Sequence, residues 1–203
     1  MDPNAVINRL VRLAKLDTTV FDEVRDDERE LVPALVVAAV ACILAGLGSM
    51  LYWQVVPDFD ADSIFLNTLI FGSVFTAAMY GVAALVTYLV LVQMYRVQVD
   101  LQALIRTMGY AAAPLAISVL MFIPIVYPLF AILPIALLFV MMIYAAQSAS
   151  GAESTQVVIS ATIGLAVMIL VLGLIAVSSG GQSGFDFNAP MGGGLFGIII
   201  DLS

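Results

Sequence analysis

Arg106–Gln147 reads RTMGYAAAPLAISVLMFIPIVYPLFAILPIALLFVMMIYAAQ. After Arg106 the stretch has no charged residue, and it holds Pro114, Pro124, Pro128 and Pro134. A straight helix of that length would run about 60 Å. The hydrocarbon core of a bilayer is about 30 Å thick. The stretch is therefore expected to fold back on itself, with the turn at Ile123-Pro124-Ile125-Val126-Tyr127-Pro128, as a hairpin of two membrane helices.

The rest of the composition agrees. The 203 residues are 63% hydrophobic and 11% charged, against roughly half and a quarter in globular domains. This is the composition of an integral membrane protein. No signal peptide is expected, because the first apolar run begins only at Leu31. The single cysteine, Cys42, lies inside that run and reads as a small packing residue. The net charge is −8, with one lysine, Lys15. An acidic, lysine-poor surface suggests a salt-adapted source.

Ahead of the hairpin, Asp2-Pro3 is a helix-start signal. In the helix that follows, Val6, Ile7, Leu10, Val11, Leu13 and Ala14 share one face, and Asn8, Arg9, Arg12 and Lys15 the other. That pattern predicts a helix lying in the membrane interface, with Arg9, Arg12 and Lys15 toward anionic headgroups. The alternative is packing on the protein's own membrane domain. Thr19 with Asp22 resembles a capping pair opening a second, acidic helix. Its Asp22, Glu23, Asp26 and Asp27 form either a solvated face or a docking patch for a partner.

Leu31–Trp53 is the first predicted span, ending in an aromatic Tyr52-Trp53 belt. Ala34, Ala38 and Cys42 form one small-residue stripe, and Ala41, Ala45 and Ser49 another. The loop from Val56 to Ser63 carries Asp58, Asp60 and Asp62, but Ser63 and Leu69 stand where a calcium loop needs glycine and glutamate. Ile64 to about Met94 is the second span. Its Ser73, Ala77 and Gly81 are expected to pack against the first helix. Asn67, Thr68, Thr76, Tyr80, Thr87 and Tyr88 either line a narrow polar pathway or bond to backbone or neighbouring helices. A polar connector, Tyr95 to Arg106, leads into the hairpin. Ser150 with Glu153 reads as a capping box before a fifth helix, about Ala152 to Val177. Gln182–Gly194 is a glycine-rich tail, and Leu195–Ile200 is apolar but too short to span.

The basic residues set the orientation. With the N-terminus inside, Arg9, Arg12, Lys15, Arg25, Arg29, Arg96 and Arg106 all fall on inner segments. Five spans then put the C-terminus outside the cell membrane.

Much chemistry is excluded. The chain has no histidine, so Ser-His, Cys-His and histidine-metal sites are ruled out. No charged residue falls inside a predicted span, which argues against proton relays. Gly192-Gly193-Gly194 lacks the Lys-Ser/Thr of a phosphate loop. No cofactor, metal or nucleic acid is expected.

Leu104-Ile105-Arg106-Thr107-Met108-Gly109-Tyr110-Ala111-Ala112-Ala113-Pro114, set after a polar connector in a five-span layout, resembles the Yip1 domain family. In that family the third span opens with Gly-Tyr and, a few residues on, Pro. Val20-Phe21 with nearby acids is similar to its prokaryotic members. The resemblance runs from roughly Leu10 to Val177. It implies a helical membrane protein without enzymatic activity. Eukaryotic relatives act in vesicle trafficking, associate with Rab GTPases and form complexes with sibling proteins. GTPase binding is not carried over to this chain. The physical reading of Gly109, Tyr110 and Pro114 is a close approach, an interfacial ring and a proline in a first helical turn.

The expected architecture is all-α: a cytoplasmic helical segment (1–30), a five-helix membrane domain (31–177) and an extracytoplasmic tail (178–203). The expected function is a membrane scaffold that binds partner membrane proteins or further copies of itself, and anionic lipid. A channel for a small uncharged solute is the alternative.

Overall fold

A computed structural model describes residues 3–55, 65–123 and 125–179. The cap at Asp2, the loop aspartates Asp58, Asp60 and Asp62, Pro124 and the tail from 180 onward lie outside the described residues, as do the side chains of Trp53, Asn67 and Thr68.

The described residues are helical, with no strand among them. Helix α1 (Pro3–Ala14) and helix α2 (Thr19–Asp26) precede a 3₁₀ turn (Glu28–Glu30) that runs into α3 (Leu31–Val55). Helix α4 (Ser73–Leu89) is flanked by π-helical segments Phe65–Gly72 and Val90–Met94. Helix α5 (Leu101–Ala111) continues as a 3₁₀ segment, Ala113–Phe122, and α6 (Tyr127–Ser150) and α7 (Ser154–Ser179) follow. Among the described residues, five helical stretches are long and apolar enough to cross a membrane: Glu28–Tyr52, Leu69–Met94, Leu101–Phe122, Tyr127–Ser150 and Ser154–Gly173.

The reversal inside Arg106–Gln147 is where the prolines predict it. The third span ends at Phe122, and α6 begins at Tyr127 with Pro128 in its first turn. The start of the third span differs from expectation. Asp100 accepts from the backbone amides of Gln102 and Ala103, so the helix opens at Leu101 and Arg106 lies within it. Pro114 consequently sits mid-span, where its missing N–H ends the α-helix and the chain tightens to 3₁₀. Eleven α residues and ten 3₁₀ residues rise about 16 Å and 20 Å respectively. Together they are enough to cross the bilayer.

The fifth helix also starts later than expected. Gly151 adopts a left-handed φ of 60° and ends α6. Ser150 turns back to the Ala146 carbonyl and accepts from Ala152, rather than forming a capping box with Glu153.

Packing pairs the spans through small residues. A side chain on Gly109 would come within 2.6 Å of the Ala34 carbonyl oxygen, and one on Gly48 would collide with the backbone of Ser118 and Val119. The first and third spans therefore lie in backbone contact along their length. Gly164 on α7 meets Ala83 and Thr87 of α4 in the same way. The expected stripe of Ser73, Ala77 and Gly81 is not the close contact with α3. Ser73 is buried and Ala77 half-buried, but Gly81 is exposed with open space beside it. Ala34 is buried and Ala38 half-buried. At the far end, the rings of Tyr52 and Tyr127 stack with centroids 4.4 Å apart, joining the first and fourth spans.

Candidate functional site

The most elaborate polar arrangement lies where α1 and α2 meet the membrane helices. Val20, Phe21 and Val24 fall at helical spacing on α2 and are fully buried in the bundle. Docking that stripe against α5 and α6 brings the charges around it into a fixed network.

Glu30, 8% exposed, is its centre. One carboxylate oxygen faces Arg9 Nη1 at 2.6 Å, and the other accepts from the Tyr110 hydroxyl at 2.7 Å. A buried carboxylate is costly unless paired and hydrogen-bonded, and here both oxygens are engaged. Burial pushes the Arg9 guanidinium down, but the hydrogen bond and negative charge of Glu30, together with Tyr110, hold it above the ordinary arginine value.

A second connection lies beside the first. Arg106, 4% exposed, donates from Nη2 to the Arg25 carbonyl at 2.6 Å. Arg25 in turn donates from Nη1 to the Ser148 carbonyl at 2.9 Å, and the Ser148 hydroxyl donates to Asp22 at 2.7 Å. Asp100 lies 3.9 Å from Arg106. These bonds tie α2 to the third and fourth spans.

The turn between α1 and α2 is built on Asp17. Its carboxylate accepts from the Thr19 hydroxyl at 2.6 Å, from the Thr19 amide and from Arg12 Nε at 2.8 Å. The Thr19 hydroxyl bond first, and Arg12 second, hold the Asp17 carboxyl below the ordinary carboxylate value. The expected capping pair of Thr19 and Asp22 is not formed, because Asp22 is drawn to Arg25 and Ser148.

The residues singled out from the sequence separate accordingly. Arg9 and Arg12 pair with Glu30, Glu23 and Asp17, while Lys15 is exposed at the end of α1. Val6 and Leu13 turn into the bundle, leaving Ile7, Val11 and Leu16 exposed. Asp22, Glu23 and Asp26 face outward, and Asp27 accepts from the Arg29 amide to cap the 3₁₀ turn. Gly109 and Tyr110 act together: one admits Ala34, the other reaches Glu30. Tyr110 is fully buried rather than interfacial. Tyr80 donates to the Met108 carbonyl at 2.6 Å, and Thr87 to the Ala83 carbonyl at 2.8 Å, so both bond to backbone.

Sequence reasoning did not single out Glu30, Arg25 or Ser148. The α2 stripe of Val20, Phe21 and Val24 was the available signal that this helix is docked. Glu30 and Arg106 are charged residues inside two of the five candidate spans, where none was expected.

The network can hold and orient a segment of chain. Among the described residues no three His, Cys, Asp or Glu side chains are grouped to bind a metal. A family model for the Yip1 domain matches residues 18–182. No curated protein and no solved structure matches the chain.

Proposed function

The chain belongs to the Yip1 domain family and is an integral membrane protein, and from that premise we propose that it is a non-enzymatic scaffold that recruits partner membrane proteins and anionic lipid. One observation carries the reading. Helix α2 buries its apolar face completely while its carboxylates stand in solvent, the Asp26 side chain being 68% exposed. A rigidly held acidic surface is a docking platform; a solvated helix with no such anchorage would not be. Helix α1 contributes the lipid contact through Lys15 with exposed Ile7, Val11 and Leu16. By the positive-inside rule we read this face as cytoplasmic, and the proposed setting is the plasma membrane of a prokaryotic cell.

The test is cross-linked co-purification of the full chain from native membranes, beside an Asp26→Lys/Glu28→Lys variant. The scaffold reading expects named partners to be lost from the variant while its circular dichroism still reports a folded helical protein. The same partners on both proteins, or none on the wild type, would refute it.

A second reading is a facilitator for a small uncharged solute. The hydroxyls of Ser49, Ser73, Thr76 and Ser118, spread over the first three spans, are buried without a hydrogen-bond partner among the described residues. Liposome flux of neutral solutes that matches protein-free controls would end it.

A further inference from the structure

At the end of the second span, Tyr88, Val92, Arg96, Val97, Gln98, Val99 and Asp100 line an open groove of about 530 Å³. It shares only Asp100 with the polar arrangement described above. We propose that this groove holds the phosphate of an anionic phospholipid, with Arg96 as the charge that binds it.

Three features carry the assignment. Arg96 is exposed and makes no ion pair or hydrogen bond among the described residues, unlike Arg9, Arg12, Arg25 and Arg106. The acid in the lining, Asp100, is already engaged by the amides of Gln102 and Ala103 and lies 3.9 Å from Arg106. The uncompensated charge of the groove is therefore positive. Arg96 also sits at φ 56°, a left-handed conformation that few residues other than glycine adopt and that clusters at ligand sites.

The place in the fold selects a lipid over a free anion. Arg96 lies two residues past Met94, the last residue of the second span, where headgroups lie. Leu85, Leu89 and Met94 on the same span are exposed and offer acyl chains apolar surface. Basic pockets at the membrane ends of helices bind anionic headgroups by this combination.

The inference extends the lipid half of the proposed function to a second place, so the test must separate the two. The purified full chain in an uncharged detergent is titrated with dioleoyl phosphatidylglycerol, dioleoyl phosphatidylcholine and inorganic phosphate, and bound molecules are counted by native mass spectrometry. Arg96→Asn removes the charge with a residue that tolerates the left-handed backbone, and Arg96→Lys retains it. Circular dichroism and Tm check that both fold as the wild type does. Phosphatidylglycerol is expected to bind in preference to phosphatidylcholine. Arg96→Asn should lower its affinity roughly tenfold, as the loss of one charge-assisted contact implies, and Arg96→Lys should restore most of it. Equal phosphatidylglycerol binding by wild type and Arg96→Asn would overturn the site. So would equal binding of phosphatidylcholine, Arg96-dependent binding of inorganic phosphate alone, or a loss confined to Lys15→Gln, which would leave α1 as the lipid contact.

Discussion

The Tyr110 hydroxyl donates to the Glu30 carboxylate at 2.7 Å, joining residues 80 apart in the chain. Glu30 begins the first span and Tyr110 lies in the third. Because Arg9 faces the other carboxylate oxygen, the same contact holds α1 in place. A residue that looked like an interfacial aromatic is thus the bolt between the N-terminal segment and the membrane helices.

Tyr110→Phe should therefore cost about 2 kcal/mol, the loss of a buried hydrogen bond to a charged group. Glu30→Ala should cost more, about 3 kcal/mol, because it leaves the half-buried Arg9 with only the more distant Glu23 carboxylate at 4.0 Å. Thermal unfolding in detergent gives both. A double-mutant cycle between Tyr110→Phe and Glu30→Ala should give a clearly non-zero coupling; simple additivity would refute the contact.

Gly109→Ala and Gly81→Ala should differ sharply. A methyl at Gly109 meets the Ala34 carbonyl at 2.6 Å and forces the first and third spans apart, whereas one at Gly81 meets nothing. Gly109→Ala is expected to lose about 1–3 kcal/mol, as overpacking does. Gly81→Ala should be neutral or slightly stabilising by helix propensity. Equal Tm values for the two variants would refute the pairing.

Acidification should leave the α1–α2 turn intact well below neutrality. Thr19 and Arg12 depress the Asp17 carboxyl, and Arg25 depresses that of Asp26. A carboxyl whose folded value is lowered contributes stability above its unfolded value, about 3.9, and loses it as pH falls through the folded value. Hydrogen exchange of residues 3–26 should thus be unchanged, after correction for intrinsic rates, from pH 7 to about 5. Protection should fall only as pH drops below about 4. Loss already at pH 6 would contradict this.

Orientation is testable because Cys42 is the chain's single cysteine and is buried. In a Cys42→Ser background, Asn4→Cys should react with an impermeant maleimide in inside-out vesicles. Ser183→Cys should react in right-side-out ones. Labelling of both from one side would exclude an odd number of crossings.

Much of this arrangement could be read before the fold was seen, and the reason is local. Leu31–Val55 is an apolar run of membrane length, and prolines near 124–128 mark a reversal wherever the partners lie. The limits were set by distance. Arg106 reads as a boundary because a charge is expensive in a helix bundle, and its acceptor is the carbonyl of Arg25, 81 residues away. Gly81 and Gly109 look alike in sequence. Which one touches a neighbour depends on which helices are adjacent, and periodicity within one helix does not contain that. The same holds for Tyr110, whose partner is a carboxylate at the start of another span.

The bond from Arg25 to the Ser148 carbonyl has a consequence for biosynthesis. Its two ends are 123 residues apart. At ~5–20 residues per second, the ribosome needs roughly 6–25 s to make the second end after the first. Until α6 is made, α2 has at most the α5 half of its seat, and its Val20, Phe21 and Val24 stripe is incompletely covered. Helix α2 is made long before its full seat exists, so a nascent chain stalled before the fourth span would display an apolar stripe that the finished protein hides.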